Sequence, residues 1–398
     1  MKLIFVLFCS VVFFTSTMNA QWIQQISGTS QVLRSVQFLG ENNGFIVGSK
    51  GTILKTTDGG ENWISTYSDT TANFYSLFFT NNNIGYVAGE NGNIIKTLDG
   101  GLTWTKNVID SMETYNSIFF INPDTGFAVG TDEIGNHSVI IKTINGGSTW
   151  SIQTSNASTH YLNSVYFLNV NVGYIAGGGG TVLKTTNGGV TWTELSTGLF
   201  SWINAVEFVN PDTGYIAGVD FYRTLNGGIT WSSMSAGTGY YFTGLSFPTT
   251  NTGYAVGSIA AVHKSTNAGT SWTILPFNFQ QSINDVCFAT PDIGYVVGRD
   301  GIIYKTTNGG AVGLDKQPLH YGNLTVMPNP AKTHIEISSS DLLMNGSLSI
   351  MDIKGDEVIK TQFNGGKINL DISNFPKSVY LIKVISEGKS AVCKFIKE

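Results

Sequence analysis

The chain has three arginines, Arg34, Arg223 and Arg299, among 398 residues. Three guanidinium groups brought together could clamp a carboxylate. Arg223, however, fills a slot that lysine holds in other copies of a repeat, so it reads as architecture. A second chemistry, glycoside hydrolysis, needs two carboxyl groups across the scissile bond. Asp132, Glu133, Asp220 and Asp300 qualify by type, but they come from different repeats and no spacing sets their separation. No metal cluster, phosphate loop or nucleophile elbow occurs, so neither a metal nor another cofactor is expected. The third chemistry is contact. Trp202 and the pair Tyr240-Tyr241 break the repeat pattern, and Tyr115 and Tyr161 stand at matching connections. Aromatics with a polar tip suit a surface that meets a protein or glycan partner. Arg299, Asp132 and Glu133 supply irregular charge on neighbouring connections, and Thr131 to Ser138 is an insertion in the third repeat. Insertions on one face of a repeat protein often mark its binding side.

What must position these residues is a repeat with three parts. An alternating segment such as RSVQF (34–38) comes first, then a G-aromatic-x-x-G element such as GFIVG (44–48), then a box such as KTTDGGENW (55–63). The set returns seven times at a period of about 41 residues, which points to a propeller or solenoid. Each repeat reads as four short strands. Asn-Gly or Asp-Gly between the third and fourth suits a hairpin turn in which both central residues take positive φ. In NPDTG (122–126 and 210–214), Asp is expected to bond its own backbone and Gly to take the left-handed position.

The seventh box, KTTNGGAVG (305–313), lacks tryptophan. Trp22 lies 41 residues before Trp63, the step that also separates Trp63 from Trp104. The start of the mature chain should therefore supply the outer strand of the last repeat. Closure of this kind removes open sheet edges. The expected fold is all-β: a seven-bladed β-propeller over 21–313, a linker at 314–321 and a small β-sandwich over 322–398. Trp22, Trp63, Trp104, Trp150, Trp192, Trp231 and Trp272 recur at one strand position, so packing explains them better than sugar binding. Asp58, Asp99 and Asn187 are read as turn formers within the box.

Lys2 followed by the apolar run Leu3 to Phe14 reads as a secretory signal peptide over 1–20, too short to span a bilayer. No transmembrane segment is expected. A net charge of −5 without a basic patch excludes nucleic acid as a partner. Cys287 and Cys393 fall in different domains, so no disulfide framework is expected, and both should behave as small buried hydrophobes.

The T-x-[DN]-x-G-x-x-W box resembles the Asp-box, or bacterial neuraminidase repeat. Seven copies with G-Y-x-x-G elements resemble the photosystem II assembly and stability factors. That resemblance implies a propeller with a partner-binding role and with boxes on its outer rim. A sialidase-like hydrolase is the alternative it allows, but the R-I-P motif that carries such an enzyme's first arginine is absent, since Ser35-Val36 follow Arg34. The tail resembles the type A C-terminal sorting domain of the type IX secretion system, through Pro328-Asn329-Pro330-Ala331, LSIMDIKGDEV (348–358), VYLIKV (379–384) and KFIKE (394–398). It implies export by that machinery to the outside or outer surface of a Gram-negative cell.

Overall fold

A computed structural model describes residues 22–67, 71–109, 112–132, 137–154, 161–234, 240–258, 261–275, 281–310, 324–339, 345–352, 356–364, 366–386 and 389–398. The chain divides into two compact units, Met1–Val312 and Gly313–Glu398.

The described residues of the first unit form seven antiparallel four-stranded sheets. The first sheet uses Leu33–Leu39, Asn43–Gly48, Ile53–Thr56 and Ile64–Tyr67 in chain order. The innermost strands touch in an unbroken cycle, in which Leu33–Leu39 meets Ile283–Phe288 of the last sheet. That cycle makes the unit a β-propeller and each sheet a blade. The last blade takes its outermost strand, Ile23–Gln25, from the start of the chain, with Ile23 opposite Lys305.

Adjacent blades share one packing unit. A Phe at or next to the end of each inner strand lies against the first glycine of the next strand. A Cβ on Gly44 would sit 2.4 Å from the Phe38 ring, so only glycine fits. The other face of Phe38 stacks on Tyr295 of the preceding blade at 3.7 Å, and Trp63 meets it edge-on at 5.9 Å. Trp22 plays the Trp63 part for the last blade, edge-on to Phe288, and is buried. Stacked and edge-to-face pairs of this kind add to area burial.

Each box is a hydrogen-bonded turn. The Thr56 hydroxyl donates to Asp58 Oδ1 at 2.7 Å and accepts the Gly60 N–H at 2.9 Å. Asp58 also accepts the Asn62 backbone and side-chain N–H groups, which hold its carboxyl down at about 2. Asp99 repeats the arrangement, and Asn187 does so with its amide. The positive φ values fall on Gly59 (69°) and Gly60 (88°) rather than on Asp58, so the two-residue Asp-Gly hairpin is corrected to a longer turn centred on Gly-Gly. The NPDTG reading also changes. Asn122 caps this turn by accepting the Asp124 and Thr125 N–H groups, and Gly126 is not left-handed but lies under the Phe120 ring.

In the second unit, the described residues form a three-stranded and a four-stranded sheet around Ile335, Ile337, Leu348, Ile350, Phe363, Ile382 and Phe395. The P-N-P-A segment is fastened to the final strand. Asn329 Oδ1 accepts the Ile396 N–H at 2.9 Å, and the Ala331 N–H donates to the Ile396 carbonyl at 2.8 Å.

Trp22→Ala should cost about 3 kcal/mol in chemical denaturation of the propeller. Ile26→Ala, at a side chain 87 % exposed, should stay within about 0.5 kcal/mol of wild type. Equal effects would contradict the assignment of Trp22 to the last blade's core.

Candidate functional site

The inner strands line an axial cavity of about 430 Å³. Each inner strand has a bulge near its start, where a carbonyl presses against the second glycine of the next strand. In the first blade, a Cβ on Gly48 would lie 2.2 Å from the Val32 oxygen. The bulge turns successive side chains of each strand toward the axis, and they form three layers.

The layer at the mouth contains Arg34, Tyr75, Asn116, Asn163, Asn204, Thr243 and Asn284. Four asparagines donate Nδ2 to a carbonyl of the following blade: Asn116 to Leu162, Asn163 to Ile203, Asn204 to Phe242 and Asn284 to Leu33, at 2.7–3.0 Å. Arg34 lies over the Tyr75 ring at 4.7 Å, and the Tyr75 hydroxyl bonds Glu90. In the second layer, the hydroxyls of Ser76, Ser117 and Ser164 accept the N–H groups of Ile118, Val165 and Val206 in the next blade. Asp285 takes the serine's place in the last blade, accepting the Val36 N–H at 2.9 Å and the Val286 N–H at 2.8 Å. In the third layer, Gln37 Oε1 accepts the Phe79 N–H and Glu207 Oε1 accepts the Phe247 N–H. Phe78, Phe119 and Tyr166 form an aromatic wall in the same layer.

Burial pushes Glu207 up to about 7, and Asp285 reinforces the shift. Burial likewise pushes Asp285 up to about 6, against the pull of its backbone donors. The Cys287 thiol beside them rises to about 12, again mainly from burial, which makes it a poor nucleophile.

The residues singled out from sequence scatter. Tyr161, Trp202 and Tyr241 are 37, 41 and 40 % exposed. Tyr161 and Trp202 pack with ring centroids 5.0 Å apart, and the Tyr241 hydroxyl donates to Asn204 Oδ1 at 3.2 Å. These three occupy one equivalent position, just before the inner strand, in three consecutive blades. Tyr115 must be corrected: it lies inside its strand, is fully buried and bonds Glu113, so it cannot touch a partner. Tyr240 is half-buried, edge-on to His263 at 4.7 Å. Arg299 is exposed at a strand connection, Asp132 pairs with His137 at 3.0 Å, and Glu133 lies outside the described residues. The arginines do not converge: Arg34 lines the mouth, whereas Arg223 donates to the Ala268 carbonyl of a box. Asp132, Asp220 and Asp300 do not line the cavity. Asp300 sits at a connection tip with φ 58°.

Sequence reasoning missed Glu207, Asp285 and the asparagine collar. The signal was available in the aligned segments RSVQF, YSLFF, NSIFF, NSVYF, NAVEF, TGLSF and NDVCF. Apart from Arg34, the charged members are Glu207 and Asp285.

In sequence, residues 14–110 and 107–199 match the family described as photosynthesis system II assembly factor YCF48, and 325–398 match the secretion system C-terminal sorting domain. No curated protein matches the sequence. In structure, the chain is similar to YCF48 bound to D1 peptide, at 18 % identity and a TM-score of 0.61, over 72 % of this chain and 97 % of that one. YCF48 from Cyanidioschyzon merolae gives 20 % and 0.59, over 72 % of this chain and 98 % of that one. An ancestral GH74 enzyme gives 13 % and 0.61, over 94 % of this chain and 63 % of that one.

Glu207 and Asp285 titrate higher in the folded chain than in the unfolded one. The fold therefore holds protons that the unfolded chain releases. Their contribution is fully present below about pH 4 and is lost as pH rises through 6 and 7. Each pKa unit is worth ~1.4 kcal/mol, and solvent screening in the open cavity cuts the total. Glu207→Gln should therefore gain on wild type by about 1–2 kcal/mol between pH 5 and pH 8 in urea denaturation. A constant difference across that range would rule out burial of the charged form.

Proposed function

We propose that the propeller is a non-catalytic module that binds a segment of a partner protein across the face carrying its cavity mouth. The observation that carries this reading is the exposed arc of Tyr161, Trp202 and Tyr241 on three consecutive blades, beside the collar residue Asn204. At the same position the other four blades carry Val32, Asn73, Thr114 and Ser282, so nothing in the blade architecture calls for an aromatic there. Large, rigid side chains with a polar tip are favoured in binding hot spots. The likeness to YCF48 bound to D1 peptide supports a polypeptide over a glycan as the occupant.

Export is the second part of the reading. The C-terminal unit is similar to secretion system sorting domains. We take the type IX machinery to be its partner and the outside or outer surface of a Gram-negative cell to be its destination. The apolar run near the start would act as the signal peptide for the inner membrane.

Affinity capture from the outer-membrane and extracellular fractions, with cross-linking, tests the binding reading. Trp202→Ala with Tyr241→Ala should weaken capture of the same polypeptide at least about 30-fold, given ~1–2 kcal/mol or more for each hot-spot aromatic. Unchanged capture by the double variant would remove this face. Turnover of fluorogenic glycosides by wild type, abolished in Glu207→Gln, would replace the binding module with a hydrolase.

A further inference from the structure

The cavity has a built-in bias that its structural role does not require. The second and third layers offer hydrogen-bond acceptors to the next blade at several positions, and uncharged side chains serve there as well. Serine does it at Ser76, Ser117 and Ser164, and glutamine does it at Gln37. Asp285 and Glu207 make the same bonds but add a negative charge to each. Burying a carboxylate without a counter-charge is costly, and no described cation pairs with either. Arg34, the cation of the mouth layer, is committed to the Tyr75 ring.

The collar adds an independent bias. Asn116, Asn163 and Asn284 each use Nδ2 on a neighbouring carbonyl. An amide that donates on one side presents its oxygen on the other. These Oδ1 atoms accept no described protein donor. The blade between the two carboxylates carries the smallest side chains of the ring, Gly244 and Ser246. Asp285 Oδ1 lies 3.0 Å from where a Cβ on Gly244 would be, so the glycine leaves room beside the carboxylate. Phe119 and Tyr166 line the same cavity, and aromatic rings attract cations.

We infer that the axial cavity is a binding site for a protonated primary amine, entering past the asparagine collar and held between Glu207 and Asp285. An ammonium group brings three donors and one charge to a cavity with amide and carboxylate acceptors. The amine is either a free polyamine or a lysine side chain of a polypeptide. The site lies past the collar that the aromatic arc touches at Asn204, and its test does not depend on a captured partner.

Isothermal titration of the full chain with spermidine, and separately with N-acetyl-lysine methylamide, tests the assignment. N-acetyl-norleucine methylamide and calcium chloride are the controls. At least one amine should bind, while norleucine and calcium should not. Spermidine alone would point to a free polyamine, and the lysine compound alone to a polypeptide side chain. Glu207→Gln and Asp285→Ser each keep the blade-to-blade bond and should weaken binding about tenfold, or ~1.4 kcal/mol. Gly244→Ala should also weaken it, by crowding Asp285. Thermal melts of each variant check folding. No heat with either amine, tighter binding of calcium than of amines, or full affinity in a folded Glu207→Gln, Asp285→Ser double variant would overturn the inference.

Discussion

The ring depends on one repeated contact: in six of the seven box turns, a carbonyl is held by the preceding blade. The Tyr295 hydroxyl donates to the Gly59 carbonyl at 2.7 Å, although the residues are far apart in sequence. Tyr86 and Lys96 both donate to Gly146, Tyr174 and Lys184 to Gly227, and Tyr254 and Lys264 to Gly309. Tyr215 and Arg223 do the same to Ala268. The Thr and Asp or Asn of the box shape the turn that presents this oxygen, and the box lysine reaches back from the blade before. Where Phe127 replaces tyrosine, Lys142 alone donates to Gly188, and where Phe45 replaces it, the second box has no such bond among the described residues. A buried carbonyl left unpaired would cost about 1–3 kcal/mol, so each of these six bonds avoids a penalty as well as adding a contact.

This outer staple sets how close the blades approach, and the inner strands inherit that spacing. Phe38 can lie between Gly44 and Tyr295 only when the neighbouring blade stands one ring thickness away. At the same separation, an inner-strand side chain reaches the next strand's backbone N–H. Where the second and third layers bond the next strand's N–H they demand only an acceptor, and serine, glutamine, aspartate and glutamate all supply one. Charge is therefore free to vary where architecture is indifferent to it, and in Glu207 and Asp285 the variation falls beside the cavity. The exposed aromatics follow the same logic. The position before each inner strand is bound by its backbone oxygen pressing on a glycine, so its side chain is unconstrained.

Much of the architecture was legible because each repeat states the same requirement again. The missing tryptophan of the last box and the early Trp22 announce the strand that completes the last blade. Turn chemistry was less legible. Asp58-Gly59 has the composition of a tight hairpin, yet the side-chain bonds from Thr56 move the left-handed residues one place on. Tyr115 was misread because a residue inside a strand and one just before it look alike until the bulge is seen. The cavity was hidden for a plainer reason: its lining residues are about one repeat apart in the chain.

The sequence by itself determined the repeat, the β class, the closing role of Trp22 and the likeness of the tail to sorting domains, because each rests on local residue types at regular spacing. Tertiary structure alone decided which side chains share a surface. It gathered Tyr161, Trp202 and Tyr241 on one face, sent Arg34 and Arg223 to different places and turned Glu207 and Asp285 into one cavity. Neighbours across a closed ring are set by the angle between blades, and that angle comes from contacts no single repeat contains.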